Sequence, residues 1–337
     1  MLKKWQFWVG MVVSAAFLYL ALRGLNLGEA WAVAREANYW WIVPGVVVYF
    51  FAVWARTWRW HYLLRPIKPV PLNELFPVVV IGYMGNNIYP ARIGELLRAY
   101  VLRKREGVSI SSSLATILVE RIFDGVVMLL FVFFSLPFTP MPNWLRMIVL
   151  VGSLLFFTAL VIFLVMAARP EWSRSVYGWM IDRFMPGRFQ SPLKGFLDRF
   201  MEGLHSLRSP LDVAMIFFTS LVIWLAETVK YWFVMHSFNF EVPFFVLMLM
   251  NGVVNLATTI PSSPGYVGTF DAPGIKVLEG FGVNRVVATS YTLVLHAALW
   301  LPITLLGFFF MWKESVTWKD FGLATEMKDQ VAEPSME

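Results

Sequence analysis

The sequence predicts an all-α polytopic membrane protein, with six transmembrane helices and two re-entrant helical hairpins in an inverted repeat. Three observations predict it. Hydrophobic residues make up 58% of the 337 residues and charged ones only 15%, against roughly 25% charged in an ordinary soluble domain. Apolar tracts recur at about the 20-residue length that a helix needs to cross a hydrocarbon core. Two further apolar tracts are broken in their middle by proline and glycine. The bilayer stands in for a soluble core, so the natural unit is one membrane bundle.

The first repeat, residues 1–145, opens with Lys3-Lys4 and an apolar run from Trp5 to Leu22. The run is long and no small-x-small cleavage site follows it, so it is expected to be an uncleaved first span, 5–23. A second span covers 39–63. The tract 73–104 is broken at Pro90-Ala91-Arg92-Ile93-Gly94, and a span at 114–136 closes the repeat. The second repeat, 146–312, has a span at 146–168, a linker at 169–208 and a span at 211–235. The tract 243–281 follows, broken from Pro261 to Gly268, and then a span at 286–312. Residues 313–337 form a polar tail. Within the linker an amphipathic helix is expected, capped by Ser191 with Pro192 in its first turn. Its apolar face, Leu193, Phe196, Leu197, Phe200, Met201 and Leu204, suits the inner membrane surface or the protein itself.

Proline removes a donor and blocks helix continuation. Irregular backbone survives at membrane depth only where protein or a watery cavity solvates it. Each broken tract is therefore a re-entrant hairpin, or a span followed by a surface helix. Charge favours the hairpins. With the N-terminus inside, the connection 64–113, the linker 169–208 and Lys313 and Lys319 all face the cytoplasm, and they hold 16 of the 28 lysines and arginines. The outer segments 24–38 and 137–145 hold only Arg35. This is a positive-inside pattern, placing a multi-pass chain in the cytoplasmic membrane with both termini cytoplasmic. A full crossing at 73–90 would turn the basic linker outward.

The broken tracts align with each other. Pro90-Ala91-Arg92-Ile93-Gly94 matches Pro264-Gly265-Tyr266-Val267-Gly268, Gly107-Val108 matches Gly282-Val283, and Ala115-Thr116 matches Ala288-Thr289. Upstream, Ala55-Arg56-Thr57 matches Ala226-Glu227-Thr228. All four offsets fall between 171 and 175 residues. Three crossings per half is an odd number, so the halves must be inverted, as in secondary transporters with broken helices near the midplane.

Ionisable groups inside membrane tracts are costly and are functional candidates by default. They concentrate at the breaks: Asn86, Asn87, Arg92, Glu95 and Arg98 in the first hairpin, Glu120, Arg121 and Asp124 in the next span, Glu227 and Lys230 in the span 211–235, and Asp271 after the second break. Arg92 and Glu95 open a half-helix, whose free N–H groups suit a phosphate or carboxylate. An arginine fork grips phosphate through two hydrogen bonds. Gly265 and Gly268, after Pro264, allow close backbone approach. Two such turns facing each other would cradle an anionic headgroup. The alternative is that Arg92, Glu95, Glu120, Arg121 and Asp124 only neutralise one another. Arg56 and Arg59 lie near a span end and are expected to snorkel to the interface.

Several classes are excluded. The net charge of +6 sits beside apolar tracts, which speaks against a nucleic-acid partner and for anionic headgroups. Cysteine is absent, and the histidines at 61, 205, 236 and 296 have no ligand spacing, so no metal or other cofactor is expected. No G-x-x-x-x-G-K-[ST] motif is present to use ATP.

The residues Asn87-x-x-Pro90-x-Arg92-x-Gly94-Glu95-x-x-Arg98, then Glu120-Arg121-x-x-Asp124, then Pro261-x-x-Pro264-Gly265-x-x-Gly268 resemble the lysylphosphatidylglycerol synthase transmembrane-region family over about residues 5–315. That is the flippase-like membrane domain of multiple peptide resistance factors, also found in stand-alone form. The resemblance implies a phospholipid or lipid-linked anionic substrate moved between leaflets. It carries functional weight onto Arg92, Glu95, Arg98, Glu120, Arg121 and Asp124. Bifunctional members continue into a soluble aminoacyl-transferase domain, whereas about 25 polar residues follow Trp312 here. The expectation is a lipid flippase, not an enzyme, acting alone, as a homo-oligomer or with a partner enzyme. The alternatives are a membrane enzyme acting on a lipid-linked substrate, or a non-transporting lipid-binding partner subunit.

Overall fold

A computed structural model describes residues 5–23, 27–89, 92–138, 143–204, 207, 209–260 and 262–317, and among them every regular element is helical. In chain order the helices are α1 (Trp5–Leu22), α2 (Leu27–Arg35), α3 (Ile42–Leu64), α4 (Leu72–Ile88), α5 (Ile93–Glu106), α6 (Ile110–Ser135), α7 (Asn143–Ala168), α8 (Pro170–Phe184), α9 (Gly187–Gly203), α10 (Pro210–Met235), α11 (Phe244–Ala257), α12 (Asp271–Gly280) and α13 (Arg285–Lys313). Among the described residues three helical stretches are long and apolar enough to cross a membrane: Tyr39–Leu64, Pro210–Met235 and Arg285–Lys313. Residues 156–168 and 170–184, bent by 106° about Arg169, make a fourth if they count as one span.

The molecule turns apolar surface outward. On α3, Val43, Val47, Phe51 and Trp54 form an exposed stripe; on α13, Leu301, Leu305, Phe309 and Trp312 do the same. Meanwhile Arg59, Glu120, Asp124 and Lys230 are buried. Water would punish that inversion, since exposed apolar patches of this extent drive association. In hydrocarbon it sets apolar side chains against lipid and keeps these four charges inside.

Helices α3 and α10 pack antiparallel along their length at the centre. Around them the contacts come in matched sets. Helix α4 folds back on α5 and packs on α13; α11 packs on α12 and on α6. Likewise α3 touches α4 and α6, while α10 touches α11 and α13. Exchanging α3 with α10, α4 with α11, α5 with α12 and α6 with α13 maps each of these contacts onto another. The aligned sequence positions behave alike as well. Arg92 and Tyr266 both take left-handed backbone, at φ 54° and 61°, and Gly107 and Gly282 do so at 71° and 83°. Thr57 and Thr228 each return a hydroxyl to the carbonyl four residues back, at 3.0 Å.

Both broken tracts are interrupted where their proline and glycine fall. Tyr89–Arg92 separates α4 from α5, and a 3₁₀ turn, Pro264–Tyr266, lies between α11 and α12. Pro90, Ala91 and Pro261 lie outside the described residues. Glycine sets the closeness of the first hairpin: a Cβ on Gly94 would stand 1.9 Å from the Gly82 carbonyl oxygen, and one on Gly85 would stand 2.9 Å from Gly94 Cα. In the second hairpin Gly274 faces the flexible end of Met250 instead.

The connections correct one expectation, the start of the linker helix, and add to two others. The segment 24–38 contains a helix, α2, joined to α13 by a 2.8 Å bond from Ser290 Oγ to the Ala30 carbonyl. The linker holds two helices, and α9 begins at Gly187, so Pro192 lies inside it and Ser191 does not cap it. A proline five residues into a helix costs a single ladder bond, and the ladder is only starting there. The apolar side of α9 packs on α6, with Gly203 against Ser112 and Ala115 and a 2.9 Å bond from Ser112 Oγ to the Arg199 carbonyl.

Gly94→Ala is expected to destabilise the protein by about 3 kcal/mol or more, the upper range for overpacking, because the new methyl meets rigid backbone. Gly178→Ala in α8, where a Cβ meets open space, is expected to be neutral or stabilising by up to about 1 kcal/mol. Thermal unfolding of the two purified variants beside the parent checks both.

Candidate functional site

The two breaks meet, and arginine joins them. Arg92 caps α5 in left-handed backbone without a side-chain cap bond, a conformation that costs a non-glycine residue about 1–2 kcal/mol. Its Nη2 donates to the Thr258 carbonyl at the end of α11, 3.0 Å away, and its guanidinium lies 5.8 Å from the ring centre of Tyr266. Side chains of the first break thus satisfy backbone of the second, as a broken helix in an apolar medium requires.

Between the breaks lies a cavity of about 140 Å³. Three arginines and two glutamates line it: Arg56 from α3, Arg92 and Glu95 from α5, Arg121 from α6, and Glu227 from α10. Asn86, Asn87, Asn255 and the Gly265 turn complete the polar wall, and Tyr49, Tyr83, Trp224, Tyr231, Tyr266 and Trp300 the aromatic one. The ions are paired: Arg56 with Glu227 at 2.7 Å, Arg121 with Glu95 at 3.1 Å, and Arg92 with Glu95 at 3.6 Å. Arg92 Nε and Asn86 Oδ1 are buried without a hydrogen-bond partner among the described residues, and such groups normally have one.

A second set of charges lies behind the cavity. Arg59 binds Asp124 and the Ser220 hydroxyl, both at 2.7 Å. Asp124 also accepts the Trp224 indole N–H at 2.8 Å. Arg98 binds Glu120 at 2.9 Å and stacks on Trp60 at 3.9 Å. Exposure differs between them: Arg92, Glu95 and Arg121 keep 26%, 21% and 29% of their side-chain surface, the cavity pair Arg56 and Glu227 keeps 9% and 7%, and Arg59 and Glu120 keep 1% each.

The sequence candidates therefore divide. Asn87, Arg92, Glu95, Arg121, Glu227 and Gly265 line the cavity. Arg98, Glu120 and Asp124 belong to the sealed network. Lys230 supports Glu227 from the next turn and lies 4.8 Å from the Tyr49 ring. Pro264 starts the 3₁₀ turn. Gly268 packs on α1 and donates its N–H to Asp271 at 2.8 Å, so both hold the shape of the break. Arg56 and Arg59 do not snorkel. They are 7% and 1% exposed, because acidic partners inside the bundle offset their desolvation. The aromatic wall, Asn255 and His296 escaped the sequence reading. His296 carried a signal, being ionisable in an apolar span; the aromatics carried none in a chain that is 17% aromatic.

The family profile described as "Lysylphosphatidylglycerol synthase TM region" matches residues 7–307. The chain belongs to this family. Among curated relatives, a UPF0104 membrane protein of Methanothermobacter thermautotrophicus is 22% identical over 89% of this chain and 91% of its own length. Another UPF0104 membrane protein, from Methanocaldococcus jannaschii, is 20% identical over 89% of this chain and 93% of its own. Glycosyltransferase AglD of Haloferax volcanii is 23% identical over 88% of this chain, which spans about half, 52%, of that relative. No solved structure matches the chain. Family membership makes it an integral membrane protein, in keeping with its outward apolar faces.

Arg98→Ala is expected to cost about 3–5 kcal/mol, because Glu120 is left buried with only Arg59, 4.0 Å away, as a cation. Arg92→Ala, at a partly open pair, is expected to cost about 1 kcal/mol or less. Unfolding midpoints of the two variants separate the sealed network from the cavity wall.

Proposed function

We propose that the protein moves a phospholipid or another lipid-linked anionic substrate across the cytoplasmic membrane, holding its headgroup where the two breaks meet. One observation carries this reading: three arginines against two glutamates line a cavity between two helix breaks, and the pairs of Glu95 with Arg92 and Arg121 stay partly open while the network behind them is sealed. Arginine forks and the N-terminus of α5 are both suited to phosphate. The cavity is near the ~150 Å³ that holds a benzene and below the ~300–1,000 Å³ of drug-sized sites. It takes a headgroup and leaves acyl chains in the bilayer. The family description adds support for phospholipid chemistry.

In this reading the chain has six spans, two re-entrant hairpins and two inverted repeats, 1–145 and 146–312, followed by the tail 313–337. Three findings support that arrangement: the exchange pattern of helix contacts, the matched left-handed residues, and the Arg56–Glu227 ion pair between aligned positions. Rocking of one repeat against the other gives access from each side in turn. Both termini are cytoplasmic, from the basic loops. The substrate leaves chemically unchanged.

In proteoliposomes with a fluorescent anionic phospholipid, Arg92→Ala and Arg121→Ala are each expected to slow lipid movement about tenfold or more, the value of one charge-assisted contact. Arg174→Ala, at an exposed pair on α8, is expected to match the parent. Equal rates in the parent and Arg92→Ala would remove the proposal. New lipid species in the vesicles would favour an enzyme.

A further inference from the structure

His296, on α13, has acceptors at both ring nitrogens. Nδ1 stands 2.8 Å from Asp271 Oδ1, and Nε2 stands 2.7 Å from the Gly265 carbonyl oxygen. A neutral imidazole has one N–H. The carbonyl cannot donate, so Nε2 must carry a proton. The short contact between Nδ1 and Asp271 needs a second proton, whichever atom holds it. The other oxygen of Asp271 is already taken by the Gly268 N–H at 2.8 Å. The observed geometry therefore holds two protons on His296 and Asp271 together. Losing one leaves a single N–H, which the carboxylate, a stronger acceptor than a carbonyl and only 1% exposed, keeps on Nδ1, so that the Nε2 lone pair is set against the Gly265 carbonyl at hydrogen-bond distance.

The contact at risk fastens the second break. Gly265 takes φ 69°, and His296 ties its carbonyl to α13. One turn further on α13, Trp300 Nε1 reaches the Asn87 carbonyl at 3.4 Å, and a turn beyond that Thr304 Oγ1 accepts from Asn87 Nδ2 at 2.8 Å. One face of α13 thus fastens both breaks, and only its His296 tie involves a group that titrates between about pH 5 and 8. Across the cavity His296 faces Arg56 paired with Glu227, Arg92 and Arg121 paired with Glu95, and the phenols of Tyr49, Tyr83, Tyr231 and Tyr266. Arginine and tyrosine as classes titrate well above that range, and both glutamates are engaged by two cations each.

We propose that His296 and Asp271 form a proton-binding site whose deprotonation releases the Gly265 turn from α13, with the proton leaving through the cavity, so that the second hairpin opens in a proton-linked step. The link to transport rests on the function proposed above; the proton site does not. The full chain, labelled with ¹⁵N-histidine in nanodiscs, reads the ring directly, with His296 assigned by substituting the other three histidines. Both ring nitrogens are expected to carry or share a proton at low pH and one to lose it as pH rises, at a lower pH in Asp271→Asn. A ring with a single, unshared proton from pH 5 to 8 would overturn the site. In proteoliposomes the parent is expected to change its lipid-movement rate with pH, by up to about tenfold per unit for a one-proton step, and His296→Gln to give a flat profile. A flat parent profile, or the same slope in both, would overturn the coupling. If no sample moves lipid at any pH, the transport reading fails and the nitrogen titration alone decides the proton site.

Discussion

The bundle depends on one rule: a charge removed from water must meet its opposite inside. Arg59 shows how much hangs on it. From α3 it reaches Asp124 on α6 and Ser220 on α10, and it stands 4.0 Å from Glu120, which Arg98 holds from α5. Four helices are fixed by groups that lipid would not tolerate singly. Burial of such pairs is a weak source of net stability and a strong source of specificity against misplacement. Glu120 and Asp124, one turn apart on α6, face this network, while Arg121 between them faces the cavity. Arg121 also reaches back to Asp124 at 3.4 Å, so one helix joins scaffold to site.

Much of the helical order was legible in the sequence. Apolar length located the three helical stretches long enough to span, because a bilayer imposes one length on any helix that crosses it. Proline and glycine located both breaks. What escaped were the elements set by packing alone. Helix α2 is short, and its partner α13 lies about 260 residues away in the chain. Helix α9 starts earlier than its Ser-Pro signal, and it meets α6 at its far end, through Arg199 and Gly203.

The site was legible in its charges and not in its walls. Rarity made Arg92, Glu95, Arg121 and Glu227 stand out from an apolar background. Rarity could not say which charges face a cavity and which face each other; that depends on a rotation of about 100° per residue around helices whose packing partners were unknown. Arg56 and Arg59 were misjudged for the same reason, since nearness to a helix end says nothing of which side the neighbours occupy. The aromatic residues around the cavity are chemically indistinguishable, in sequence, from those that face lipid.

The close glycine contact in the first hairpin has a mechanical consequence. Where Gly94 lies on the Gly82 carbonyl, backbone meets backbone, and a slip by one residue would force Ile93 or Glu95 into a space that admits only hydrogen. Those two arms have no side chain between them that could yield. The second hairpin meets itself through Met250, a side chain that can bend out of the way. Of two arms built alike, one is the anvil and the other the spring.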